Sequence, residues 1–107
     1  MTITLGERKA LNILKTRLSE GFGLVDLRVF GSKAKGTAYA DADLDVLIVL
    51  NETNPAIESE IDDFVYELNI EFDCLIMPLY FGKQEIETGP MSESPVYKNA
   101  VLEGIRW

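Results

Sequence analysis

The segment Leu44-Asp45-Val46-Leu47-Ile48-Val49-Leu50 constrains the fold more than any other stretch of this chain. Apart from Asp45 it is apolar throughout and lacks the alternation of a strand with one face in water. It reads as a strand buried on both faces for most of its length, the habit of strands inside α/β sheets. The flanking sequence supplies its cover. Leu11, Leu14 and Leu18 recur at helical spacing between Glu7 and Glu20, and Gly21 is a natural stop. Val25, Leu27 and Val29 alternate with Asp26, Arg28 and Phe30, the period of a strand. Ser32 is suited to begin a short helix or turn through Lys35, and Gly36 to Ala42 reads as an irregular loop. Asn54 and Pro55 form a cap and first helical residue, after which Ile57, Ile61, Phe64 and Leu68 trace one helical face. Ile70 to Met77 predicts a third strand, stopped by Pro78, whereas Leu79 to Gly89 is ambiguous. Ser94-Pro95 opens a last short helix with Val96, Ala100 and Val101 inward. The expected fold is α/β (α+β), a small mixed sheet flanked by helices, and 107 residues suit one domain over 1–107.

Composition removes whole classes of chemistry. The chain has no histidine and one cysteine, Cys74. Serine–histidine and cysteine–histidine catalysis, imidazole-bound transition metals, internal disulfides and multi-cysteine zinc sites are all excluded. A bound metal must take oxygen ligands, which points to a hard cation, magnesium or manganese. Eighteen acidic against 10 basic residues give a net charge of −8. That balance disfavours direct nucleic-acid binding and suits a basic protein partner. The start, Met1 to Lys9, shows no apolar core with a small-residue cleavage site, and no apolar run approaches the roughly 20 residues of a membrane span. A cytoplasmic protein without membrane association is expected.

The candidate site lies between Gly31 and Val46. A Gly-Ser pair between a strand and a helix start leaves backbone N–H groups facing outward, and these suit a phosphate. Glycine at 31 permits close approach, while Lys33 and Lys35 put positive charge beside the turn. Asp43 and Asp45 stand two apart at a strand entrance and so project from one face. Such a pair repels itself unless a cation lies between. If the third strand lies beside the second, Asp73 completes a nest of three carboxylates able to hold two divalent ions. Each part has an ordinary reading: Gly-Ser turns are common, and Asp41, Asp43 and Asp45 alone could be a solvated loop. An EF-hand is a sharper rival, since Asp41, Asp43, Asp45 and Glu52 have its spacing. It fails at Val46, where that loop needs glycine.

Gly31-Ser32, Gly36, Asp43-Leu44-Asp45 and the distant Asp73 together resemble the signature of polymerase-β-type nucleotidyltransferases. The local Gly-Ser-basic-Ala-basic-Gly-Thr-Ala form, the small size and the ending Ser94-Pro95-Val96-Tyr97-Lys98-Asn99-Ala100 through Gly104 are similar to the minimal nucleotidyltransferase (MNT) branch. The resemblance spans Val25 to Gly104 and implies the nucleotidyltransferase fold. It further implies that Gly31 and Ser32 bind the triphosphate, with Lys33 and Lys35 beside it. Asp43 and Asp45 would hold both metal ions, while Asp73 would bind the catalytic ion and help deprotonate the acceptor. Two departures stand out: Lys33 and Lys35 replace frequent arginines, losing the planar fork, and Ala42 replaces a common serine.

The resemblance also implies an antitoxin role. ATP would be the substrate, magnesium (or manganese) the cofactor, and a HEPN-domain ribonuclease toxin the partner, silenced by adenylylation of a tyrosine. The alternatives are nucleotidyl transfer to a small hydroxylated molecule, or an antitoxin that masks its partner without chemistry.

Overall fold

The computed structural model describes residues 1–107. Helix α1 (Leu5–Gly21) leads into strand β1 (Leu24–Phe30), the one-turn helix α2 (Gly31–Lys35) and strand β2 (Leu44–Leu50). Helix α3 (Pro55–Phe72), strand β3 (Ile76–Gly82), the short helix α4 (Lys83–Glu87), a 3-10 turn (Pro90–Glu93), helix α5 (Pro95–Glu103) and strand β4 (Ile105–Arg106) complete the chain. The four strands form one sheet in the order β3-β2-β1-β4. Strand β1 pairs antiparallel with both β2 and β4, and β2 runs parallel to β3. This is the mixed sheet with flanking helices that the sequence implies.

Strand β2 is covered on both sides, as its composition demands. Leu44, Val46, Ile48 and Leu50 join the main core with Leu11, Leu14 and Leu18 of α1 and Ile61, Val65 and Leu68 of α3. Leu47 and Val49 point the other way, into a smaller cluster with Phe81 and Ala100. Tyr97 of α5 meets the Phe81 ring edge-on at 5.3 Å. Burying each large aliphatic side chain contributes about 1.5–3 kcal/mol. The only residue of β2 that is not buried is Asp45.

Three local expectations change. The third strand is Ile76–Gly82, not Ile70–Met77, because α3 continues to Phe72. Ile61, Val65, Leu68 and Phe72 fall on one helical face, so the apolar residues after Leu68 serve the helix. Phe72 packs on the main core while Ile70 is exposed. Asp73 then ends the helix in the left-handed conformation (φ 51°). The Asn69 carboxamide both accepts from and donates to the backbone of Ile76, at 2.8 and 3.3 Å, which fixes where β3 begins. Pro78 lies within β3 and is tolerated because β3 is an edge strand. In α5, Val96 is exposed and Tyr97 packs inward instead.

Candidate active site

The turn after β1 brings the site together. Gly31 sits at φ 73°, and a Cβ added there would lie 2.5 Å from Oδ2 of Asp45. The bare backbone of Gly31 is therefore the surface against which the Asp45 carboxylate packs, a second reason for glycine beside its positive φ. Phe30 pairs with Asp45 across the β1–β2 ladder, so the turn and the carboxylate are held in fixed register. Ser32 is exposed beside them.

The charge of Asp43 acts on Asp45. Burial pushes the Asp45 carboxyl above its ordinary range, and the neighbouring charge of Asp43 raises it further. Both effects disfavour two ionised carboxylates and are relieved by a cation between them. A magnesium-class ion is held by one or two carboxylates plus substrate phosphates. The donor set of Asp43 and Asp45 fits such an ion.

The remaining sequence candidates fall elsewhere. Lys33 is fully buried. Its ammonium donates to Oε1 of Glu7 at 3.1 Å and to the Ala40 carbonyl at 2.9 Å. Its charge is neutralised inside the fold, so it is not a phosphate ligand: the α2 turn aims position 33 at the core together with Ala34. Lys35 stays on the surface, 3.2 Å from Glu103 of α5.

Asp73 does not join Asp43 and Asp45. It lines a cleft of about 500 Å³ with Glu7, Asp41 and Cys74, and neither Asp45, Asp43 nor the Gly31 turn borders that cleft. No three histidine, cysteine or carboxylate side chains converge to hold a metal. The strand position expected for Asp73 does not exist, because the residue caps α3 before β3 begins. Cys74, beside it, is a thiol pushed up by burial and by the charges of Glu7 and Asp73.

The sequence signal of Glu7 is structural rather than chemical. Thr4-x-x-Glu7 is a capping box: the Glu7 N–H donates to Oγ1 of Thr4, and the Thr4 N–H to Oε1 of Glu7. The same Glu7 oxygen receives Lys33, which in turn fixes the loop that leads to Asp43.

No helix is long and apolar enough to cross a membrane. Comparison with curated proteins finds no match to the chain. Residues 7–97 match the family model described as "Nucleotidyltransferase domain". That span contains the Gly31 turn, the paired aspartates and every strand of the sheet but β4, and the chain belongs to the nucleotidyltransferase domain family.

Proposed function

We propose that this chain transfers AMP from ATP to a tyrosine hydroxyl of a protein partner, and that the partner is a helical HEPN ribonuclease toxin which the modification neutralises. The observation that carries nucleotidyl transfer is the packing of Asp45 against Gly31 with the charge of Asp43 acting on it, which sets two carboxylates beside the Gly31-Ser32 turn. The triphosphate lies on the Gly31-Ser32 backbone, with Lys35 as the nearby surface cation. Asp43 and Asp45 hold magnesium or manganese, which when bound neutralises triphosphate charge and polarises the α-phosphoryl group. The tyrosine oxygen forms a bond to the α-phosphorus and gives up its proton. The bridging bond to the β-phosphate breaks, and pyrophosphate leaves with the electron pair. The added phosphate repels RNA from the toxin's site.

The net charge of −8 supports a basic partner, because complementary charge speeds and orients association. It equally argues against direct nucleic-acid binding, and the reaction is placed in the cytoplasm. A masking antitoxin is the second reading, favoured by the lack of a third converging carboxylate. Incubating the partner with the chain, ATP and magnesium, followed by mass spectrometry, separates the two. AMP on one tyrosine, lost with Asp43→Asn, supports transfer. Equal neutralisation by the Asp43→Asn protein, with no AMP on the toxin, selects masking.

A further inference from the structure

The parallel register between β2 and β3 decides which side chain stands beside Asp45. Leu47 pairs with Leu79 and Val49 with Phe81, and all four belong to or pack on the smaller cluster. Two residues earlier on the same face, Asp45 pairs with Met77. Neighbouring strands lie about 4.8 Å apart, so position 77 is where β3 brings a side chain alongside the Asp45 carboxylate. Met77 is 46% exposed, at the open end of an edge strand, and is not committed to the core. Its thioether is a soft ligand, ill matched to magnesium or manganese.

The nearest acidic residue along this part of the chain, Asp73, lies before the strand in the cleft with Glu7 and Cys74. Its chain neighbours keep it there. The N–H of Cys74 donates to the Asn69 carbonyl at 3.1 Å, and the N–H of Leu44 donates to the Leu75 carbonyl at 2.8 Å. The segment from Cys74 to Ile76 is thus tied to α3 on one side and to β2 on the other. Those bonds hold the backbone that follows Asp73.

Two-ion sites need ligands on both sides of the transferred group. We propose that this chain alone builds a one-ion site, that Met77 is the residue which withholds the second ion, and that the oxygen ligand activating the acceptor arrives with the acceptor or its protein. This inference rests on the nucleotidyl-transfer reading above. It makes the isolated chain a nucleotide-loaded but slow enzyme, and places control of the reaction in the encounter with the acceptor.

The test counts manganese ions bound to the full chain, by electron paramagnetic resonance of free Mn²⁺, in the presence of α,β-methylene-ATP. One ion per chain is expected for the natural protein and for Met77→Leu, and two for Met77→Asp or the longer Met77→Glu. Pyrophosphate release from ATP to water should also rise about tenfold or more in Met77→Asp, a conservative share of what a positioned acid–base group supplies. Two ions in the natural protein, falling to one in Asp73→Asn, would overturn the proposal by showing that Asp73 swings in. One ion in folded Met77→Asp and Met77→Glu, as judged by circular dichroism and melting, would also overturn it while leaving the nucleotide site intact. The count on the natural chain decides the matter even if a variant misfolds. Absence of any manganese–nucleotide binding sinks this inference and the nucleotidyl-transfer reading together.

Discussion

Gly31 and Asp45 constrain each other, and each can be tested against a control. A methyl group at 31 meets both a positive φ of 73° and the Asp45 carboxylate at 2.5 Å. The left-handed backbone alone costs about 1–2 kcal/mol for a residue with a Cβ. Gly36 has a similar φ of 78°, but an added Cβ there meets nothing nearer than Oγ1 of Thr2 at 3.4 Å. Gly31→Ala and Gly36→Ala should therefore lose comparable stability in urea, while only Gly31→Ala loses manganese affinity. Equal affinity in both variants would show that the carboxylate does not depend on the turn. The Asp43–Asp45 pair gives a second residue-scale prediction. Asp43→Asn removes the smaller of the two causes that raise Asp45, so the Asp45 carboxyl should titrate lower, yet still above its ordinary range because burial remains. Carbon-13 NMR of the carboxyl resonance reads this directly. The sign for stability follows from linkage. A carboxyl whose folded pKa exceeds its unfolded one adds stability at low pH that is lost as pH rises through the folded value. Without a cation, ionised Asp45 is a cost at neutral pH, and Asp45→Asn should melt higher there than the natural protein, with the gain fading in acid.

At the scale of elements, the Glu7–Lys33 pair joins the first turn of α1 to α2 and, through Ala40, to the loop before β2. Both side chains are almost completely buried. Removing one partner from a buried pair leaves an uncompensated charge and costs about 3–5 kcal/mol, whereas replacing both with apolar groups is often close to neutral. Lys33→Met should thus be strongly destabilised, and Glu7→Leu/Lys33→Met should recover much of the loss. A double-mutant cycle by urea unfolding checks it, and additive losses would count against the pair. This element also shows where the sequence is opaque. The capping box, the doubly buried β2 and the aspartate pair are local patterns, each legible within a few residues. Lys33 follows a Gly-Ser turn in sequence, but which way a one-turn helix aims its third residue depends on how that helix seats on β1, β2 and α5 and on the buried Glu7 that receives it. The place of Asp73 is opaque for a similar reason. The apolar residues at 68, 70, 72 and 74 alternate like a strand, while Leu68 and Phe72 are equally one helical turn apart. The clamp of Asn69 on Ile76, a tertiary contact, settles the boundary. Met77 gives no local signal at all, because its meaning comes only from the register of β3 on β2.

For the whole molecule, the sheet acts as a platform whose central strand β2 is buried on both faces except at Asp45, which pairs with the exposed Met77. The whole chain carries a net charge of −8. Bulk salt alone should stabilise the chain slightly by screening self-repulsion, so specific binding must be read above that background. A ligand that binds only the folded chain stabilises it by RT ln(1 + [L]/Kd), about 2.7 kcal/mol at a hundredfold excess. For a domain of this size each kcal/mol moves the melting temperature by about 4–8 °C. Saturating magnesium with ATP should therefore raise it by roughly 10 °C or more. Sodium chloride at matched ionic strength should do far less, and magnesium alone should fall between, since the triphosphate supplies the missing phosphate ligands. Asp43→Asn and Asp45→Asn should keep the salt response and lose the nucleotide response, because each removes a ligand without disturbing the buried faces of β2. If sodium chloride reproduced the full shift, or if both variants retained it, the stabilisation would be generic charge screening and Asp43 and Asp45 would not be the cation's ligands.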